Sequence, residues 1–377
     1  MKIPLNKPYW GTQEQAAIVR ALKTGTGVGD GPHTHKATEK LKKITGSAFA
    51  YLVTSCTSAM DIMLMAKELK RGDEIIVPSF TLSSTATAVV MAGGTPVFAD
   101  IDPLTYCIDP FDIERCITKR TRGILLVHYA GMPAPMEKIM RIAKKYKLFV
   151  MEDAAHAIGA YYYNKHLGTL ADAGAFSFHG TKNIASGEGG AIVTNDRKLS
   201  DRIDILRAIG TNRSDFLAGK VSLYEWVGRG SSYVLSDLLA SLLSPQFDRL
   251  KTVTALRTKI ALAYTKAFAP FSQVVQLPVV PPGAHPNWHI YALRFYTKEN
   301  RKEFQAAMRK EGIEVSGHYV PLHSSVMGKK LGGTKRALPV TDDVAGTLVR
   351  LPIYPGLSIK QQAHVISVAT RILKRLS

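Results

Sequence analysis

Between residues 48 and 153, short apolar runs alternate with longer stretches in which apolar positions recur at i, i+3 and i+4. The short runs 49-FAYLVT-54, 74-EIIVP-78, 95-TPVFAD-100, 122-RGILLVH-128 and 147-KLFVME-152 predict strands. The longer stretches, among them 58-SAMDIMLMAKELK-70 and 135-PMEKIMRIAKKYK-147, predict the helices between them. Such alternation is the mark of a parallel sheet joined by crossover helices. The strands are apolar almost throughout, so both faces of the sheet are expected to be covered. Two further apolar segments, 173-AGAFSF-178 and 190-GAIVTN-195, extend the sheet to seven strands and flank a polar loop, 179-HGTKNIASGEG-189.

Beyond that loop the pattern gives a helix over 197–210, an irregular Gly- and Ser-rich stretch to about 234, and helical sequence from 235 to about 268 that reads as a domain connector. A Pro-rich break at 278-PVVPPGAHP-286 precedes strand, helix and strand patterns at 289-HIYALRF-295, 300-NRKEFQAAMRKEG-312 and 313-IEVSGHYV-320. The expected architecture is α/β: a large domain over residues 1–245 that includes the N-terminal segment, then the connector helix and a smaller α+β domain over 246–377.

The 377 residues, 46% of them hydrophobic, are enough to bury the core of both domains. Runs such as 86-ATAVVMA-92 are far shorter than the roughly 20 residues a membrane helix needs. The opening residues lack the apolar stretch of an export signal, so the expected location is cytoplasmic. Cys56, Cys107 and Cys116 form neither an even disulfide set nor a paired metal-ligand spacing. A net charge of +19 could draw in nucleic acid or a phosphorylated small molecule. The basic residues are dispersed at helical spacing, which favours solvated helix faces over a nucleic-acid stripe.

Candidate chemistry lies at strand ends. Ligands of open parallel sheets bind outside the carboxyl ends of the strands, where Asp153 closes an apolar run and His156 follows. A carboxylate there can pair with a protonated ring nitrogen, as a pyridoxal cofactor requires; an Asp in that place equally serves as a helix N-cap. Lys182 stands in the polar loop after Ser177 and His179, with 187-GEGG-190 allowing backbone to approach a ligand closely. A lysine desolvated there has a lowered pKa and becomes an amine nucleophile. The segment 54-TSCTSAM-60 offers backbone N–H groups at a helix start, suited to phosphate or to an ordinary Ser/Thr cap.

As a set, these residues resemble the sugar-nucleotide aminotransferases of the DegT/StrS family, which are fold type I pyridoxal-phosphate enzymes. The resemblance runs from 29-GDGPHTHK-36 through 72-GDEIIVPSFTLSSTA-86, 128-HYAGM-132, 152-EDAAHAIGA-160, 176-FSFHGTKN-183, 187-GEGGAIVTN-195 and 318-HYVPLH-323 to 351-LPIYPGLS-358. It implies Lys182 as the Schiff-base lysine, Asp153 as the partner of the pyridinium, and His156 beside the cofactor's ring hydroxyl. Ser177, Cys56 and Thr57 would hold the cofactor phosphate. It further implies a homodimer, with Ser232 where many members place an Asn that reaches the phosphate of the partner's site. Leu82 aligns with the aromatic residue that relatives stack on the cofactor ring, although here the nearby aromatic is Phe80. His318 and His323 match a segment near the sugar-nucleotide cleft.

The stretches 210-GTNRSDF-216 and 230-GSSYVLSDLLAS-241 look most like the branch that aminates TDP-4-keto-6-deoxyglucose at C4, with L-glutamate as donor and pyridoxamine phosphate formed during turnover. Alternatives within the family are C3 amination, a GDP or UDP sugar, or a sugar dehydratase, in which a His replaces the lysine; Lys182 speaks against the last. A non-catalytic basic binding protein is the rival from another class.

Overall fold

The computed structural model describes residues 2–25, 27–333 and 336–377. Its centre is a seven-stranded sheet built from Phe49–Val53 (β1), Glu74–Pro78 (β2), Thr95–Ala99 (β3), Thr121–Val127 (β4) and Phe149–Asp153 (β5), and, after the short strands Tyr161–Tyr162 (β6) and Lys165–His166 (β7), from Ala173–Ser177 (β8) and Gly190–Thr194 (β9). The spatial order is β1-β9-β8-β5-β4-β2-β3. Only β9 runs antiparallel to its neighbours; the other six share one direction. All seven strands lie where the apolar runs place them. β2, β8 and β9 are buried at every position, as a sheet covered on both faces requires.

Registry brings the strand ends level. Val127 pairs with Asp153, Asp153 with Ala175, and Ser177 and Val53 both lie opposite Gly190. The carboxyl ends of β1, β2, β4, β5 and β8 therefore open on one crevice.

A second core gathers Val275–Gln276 (β10), Tyr291–Phe295 (β12) and Leu348–Leu351 (β13) into an antiparallel sheet covered by the helices Leu250–Phe268, Lys298–Lys310 and Ile359–Leu376. Ala284–His285 (β11) instead pairs with β6 at the edge of the large sheet's domain. The N-terminal segment, expected with the large domain, has Ile3 fully buried in this smaller core, bridged to Ile313.

Two expectations change. The helical sequence from 235 onward is two helices, Asp237–Asp248 and Leu250–Phe268, broken at Arg249 (φ −93°, ψ 0°). Residues 313–320 form no regular strand: the segment bridges Ile3 through Ile313 and Arg350 through Ser316, then turns away toward the crevice. Among the described residues, no helix is long and apolar enough to cross a membrane.

Candidate active site

Beyond the carboxyl ends of these strands lies a cavity of about 350 Å³. Lys182, Asp153, His156, Ser177, Cys56, Thr57 and Leu82 all line it, although 125 residues of chain lie between Cys56 and Lys182. A second cavity of about 400 Å³ adjoins it and shares Leu82, His156, Thr181, Lys182 and Tyr319; His289, His318 and Arg350 face that side.

Asp153 ends β5 buried and caps no helix. Its Oδ2 accepts the Thr85 hydroxyl at 2.9 Å and its Oδ1 accepts the Ala155 N–H at 3.1 Å. Burial raises its pKa, opposed by these hydrogen bonds and by the charge of Lys182. An acid desolvated there favours a cationic partner across the pocket. Next to it, fully buried Glu152 accepts N–H groups of Gly168, Leu170 and Ala171 at 2.6–2.7 Å and the Nε2 of His128 at 2.8 Å. That pins the chain on both sides of the strand end.

Lys182 is held by a compact loop in which its N–H bonds the His179 carbonyl at 2.9 Å and the Gly180 N–H bonds the Gly187 carbonyl at 2.8 Å. Burial lowers its pKa, while Cys56 and Asp153 pull it back up. A lowered pKa increases the share of neutral amine, the nucleophilic form.

Ser55 caps the helix Cys56–Met65 by accepting the Ser58 N–H at 3.0 Å, and Cys56 and Thr57 occupy the first turn. First-turn N–H groups have no partner within their own helix and favour an anion. A Cβ on Gly190 would stand 2.3–2.4 Å from the Ser55 carbonyl carbon and the Cys56 nitrogen, which shows how closely β9 presses on this turn.

His156 is buried, and the Ala130 N–H points to its Nδ1 at 3.3 Å, which leaves the Nε2–H tautomer as a donor. Burial and the nearby cations hold this imidazole neutral.

The choice between Leu82 and Phe80 is resolved by position. Leu82, 56% exposed, lines both cavities, whereas Phe80 is 1% exposed and packs among Tyr106, Tyr129 and Tyr319. His318 lines the second cavity, its Nδ1 3.2 Å from the Tyr129 hydroxyl. His323 lines neither: its buried ring is hydrogen-bonded to the Ser79 hydroxyl at 2.7 Å, a correction to its expected place at the substrate cleft. Ser232 is exposed, bridged to Ala208, and lines neither cavity.

Residues not singled out in the sequence complete the walls. His289 lies 4.4 Å, ring to ring, from His156, and its Nδ1 meets the Asn183 Oδ1 at 3.0 Å. Asn183 in turn donates to the carbonyl of Asn287, whose amide donates to the carbonyls of His156 and Ile158. This chain ties the residue beside Lys182 to the loop that carries His156. The only cue in the sequence was three polar residues, Asn183, Asn287 and His289, ambiguous without their spatial neighbours.

A half-buried lysine and a buried carboxylate lining one cavity, with first-turn N–H groups of a helix beside them, fit a cofactor that bears an aldehyde, a basic ring nitrogen and a phosphate. Fold and site together define a pyridoxal-phosphate-dependent aminotransferase. Residues 8–370 match the DegT/DnrJ/EryC1/StrS aminotransferase family, and the chain belongs to that family. It is 34% identical over 380 residues to the spore coat polysaccharide biosynthesis protein SpsC of Bacillus subtilis, covering 99% of this chain and 97% of SpsC. Among solved structures it resembles DesV of S. venezuelae in complex with a ketimine intermediate (31% identity, TM-score 0.89, 97% and 95% coverage). It also resembles the sugar aminotransferase Spr1654 of Streptococcus pneumoniae in its PMP form (25% identity, TM-score 0.93, all of both chains). The chain is an aminotransferase, and its cofactor is pyridoxal phosphate.

Proposed function

We propose that the enzyme transfers the amino group of L-glutamate to C4 of a nucleotide-linked 4-keto-6-deoxyhexose, with TDP-4-keto-6-deoxyglucose as the first candidate. The observation that carries the reading is that Lys182 and Asp153 line one cavity, and that Lys182 also lines the adjoining one. Pyridoxal phosphate, when bound, supplies an electron sink that stabilises negative charge on the substrate carbon.

The chain's own residues do the rest. Asp153 keeps the ring nitrogen protonated, and Thr85 and Ala155 fix the orientation of its carboxylate. His156, whose Nδ1 faces the Ala130 N–H, would have its Nε2–H free to donate to the ring hydroxyl. Cys56 and Thr57 at the helix start, with Ser177 at the end of β8, would hold the phosphate. With the cofactor bound, Lys182 would be the residue that holds its aldehyde group, and its Nζ, lining both cavities, would hold and release the proton beside the substrate carbon. Leu82 and Tyr319 wall the shared boundary and exclude water. We read Ser232, exposed and outside its own chain's cavities, as a residue that serves the partner's site in a cytoplasmic homodimer. The charge of +19 favours approach of the anionic sugar nucleotide.

The test is incubation of the holoenzyme with L-glutamate and a panel of nucleotide keto-sugars, the products identified by mass and proton couplings. Amination of the TDP-4-keto sugar at C4 is expected. Turnover only of a 3-keto sugar, or only of a GDP or UDP sugar, would reassign the substrate.

A further inference from the structure

We propose that His289 is a specificity-determining residue of the second cavity: its Nε2 accepts a hydrogen bond from the hydroxyl that the sugar carries on the carbon next to its ketone. This rests on the keto-sugar reading above. Asp153, Ser177, Cys56 and Thr57 line the first cavity alone, so a cofactor held by them fills that side, and the sugar meets Lys182 from the other. Half-buried His289 lines that other side, just before β12 begins. Its backbone is held in both directions: its N–H donates to the Asn287 Oδ1 at 3.1 Å, and its carbonyl accepts the Nη1 of buried Arg257 at 3.2 Å.

Hydrogen bonding decides which ring nitrogen carries the proton. The Asn183 side chain donates its Nδ2 to the Asn287 carbonyl at 3.1 Å, so its Oδ1, 3.0 Å from His289 Nδ1, is the accepting end. Nδ1 therefore holds the hydrogen and Nε2 a lone pair. Burial, followed by the neighbouring His156 and Lys182, keeps the ring neutral. Among the described residues no group of the chain donates to Nε2, and this nitrogen is not sealed in the interior, so its lone pair opens on the cavity that the ring lines. His156, its ring centre 4.4 Å away, has the opposite arrangement, with Nδ1 accepting and Nε2–H free to donate. One donor and one acceptor thus stand side by side at the boundary of the two cavities.

An acceptor without a donor, sheltered in a cleft, selects what it meets. A ketone or carboxylate oxygen sets lone pairs against a lone pair, whereas a hydroxyl supplies the missing hydrogen. A hydroxyl on the carbon next to the ketone lies in the space directly beside Lys182, which is where His289 stands. Other side chains of the cavity do not replace it: Arg350 can only donate, Asn6 gives its amide N–H to the Thr181 carbonyl, and exposed Glu314 is bonded to the Leu5 N–H at 3.1 Å. A site built to pair with a hydroxyl discriminates against the analogue that lacks it, because its own polar atom is then left without a partner.

The test separates the two ring nitrogens. In His289→Asn the side-chain amide N–H reaches the place of Nδ1 and keeps Asn183 bonded, while nothing reaches the place of Nε2. In His289→Gln the longer side chain brings an amide oxygen to the place of Nε2 and leaves Asn183 without its donor. Native and variant holoenzymes are compared, with saturating L-glutamate, on TDP-4-keto-6-deoxyglucose and its 3-deoxy analogue. The native enzyme should prefer the hydroxylated sugar in kcat/KM by about tenfold, the worth of one hydrogen bond. His289→Asn should lose that preference and His289→Gln should keep most of it. Preference kept in His289→Asn, or lost in His289→Gln, would make the residue a tie to Asn183 and overturn the contact. Equal turnover of both sugars by the native enzyme overturns the contact and leaves the keto-sugar reading standing, whereas amination of neither sugar overturns that reading and the contact with it. Nitrogen-15 histidine spectra of the apoenzyme give a readout independent of turnover: at neutral pH the Nε2 of His289 is expected to carry no proton, and a proton there overturns the proposal.

Discussion

Thr85 donates its hydroxyl to Asp153 Oδ2 at 2.9 Å while its own oxygen lies 2.8 Å from the Thr81 hydroxyl. Because the carboxylate can only accept, Thr81 donates to Thr85 and Thr85 to Asp153, a relay running one way from the loop after β2 to the end of β5. Both threonines are buried, so neither hydroxyl can exchange its partner for bulk water. Thr85→Val keeps the shape and removes the donor. Affinity for pyridoxal phosphate should fall about tenfold, the equivalent of ~1.4 kcal/mol for one hydrogen bond to a charged group. Equilibrium titration of the apoenzyme measures it, and an unchanged affinity would mean that Ala155 alone orients Asp153.

Asp153 should also be a site where stability is given up for activity. Burial, the largest effect on it, raises its pKa in the folded chain. Between the ordinary value of 3.8 and the raised one, the folded apoenzyme binds more protons than the unfolded chain, so stability falls as pH rises through that window. Asp153→Asn removes the buried charge. At neutral pH its apoenzyme should melt higher, by about 1–2 °C per kcal/mol for a chain of this length, while turnover drops by orders of magnitude because the ring nitrogen loses its acid. Calorimetry of the apoenzyme at pH 7.5 beside a turnover assay decides this, and a lower melting point would contradict the sign.

The positions of the strands could be read from the sequence because seven apolar runs, buried on both faces, leave little choice of structure. Asp153 could be placed for the same reason, as the polar residue that ends such a run, whereas Ser177 lies within the run 173-AGAFSF-178 and its role rests on the family resemblance. His289 and Arg350 could not, since a polar residue within the half-covered strands of a small domain looks the same whether it meets solvent or a cleft. The position of Phe80 depends on Tyr106, Tyr129 and Tyr319, three rings distant in sequence whose convergence no local pattern reveals. His323 sits in the motif that also carries His318, yet its backbone N–H and ring both bond the Ser79 hydroxyl and hold it in the wall behind the cleft.

Lys182 carries the opposite linkage. Burial lowers its pKa from 10.5, so between the lowered value and 10.5 the unfolded chain holds more protons, and apoenzyme stability gains from this group as pH rises. The same shift controls capture of the cofactor. The rate at which apoenzyme develops the visible absorption of the lysine-bound cofactor should climb with pH and reach half its limit below pH 10.5. Lys182→Ala should bind pyridoxamine phosphate and perform neither half-reaction. Stopped-flow records across pH test the first point; a midpoint at the ordinary lysine value would mean that the amine is not desolvated.

Gly190 lies opposite both Val53 and Ser177, where β9 passes under the phosphate cradle. Its conformation is not the reason for glycine, since its backbone is ordinary strand; the reason is proximity. An added Cβ would fall 2.3–2.5 Å from backbone atoms of Ser55 and Cys56, and backbone cannot swing aside as a flexible side chain can. For Gly190→Ala the turn must therefore move outward, carrying the first-turn N–H groups of Cys56 and Thr57 away from any phosphate they bind. Overpacking of this kind typically costs about 1–3 kcal/mol, which should appear as a lower melting temperature in the apoenzyme. Loss of pyridoxal phosphate affinity should exceed the loss of affinity for pyridoxal, which has no phosphate to place. If the two cofactor forms weaken equally, the turn is not the phosphate site.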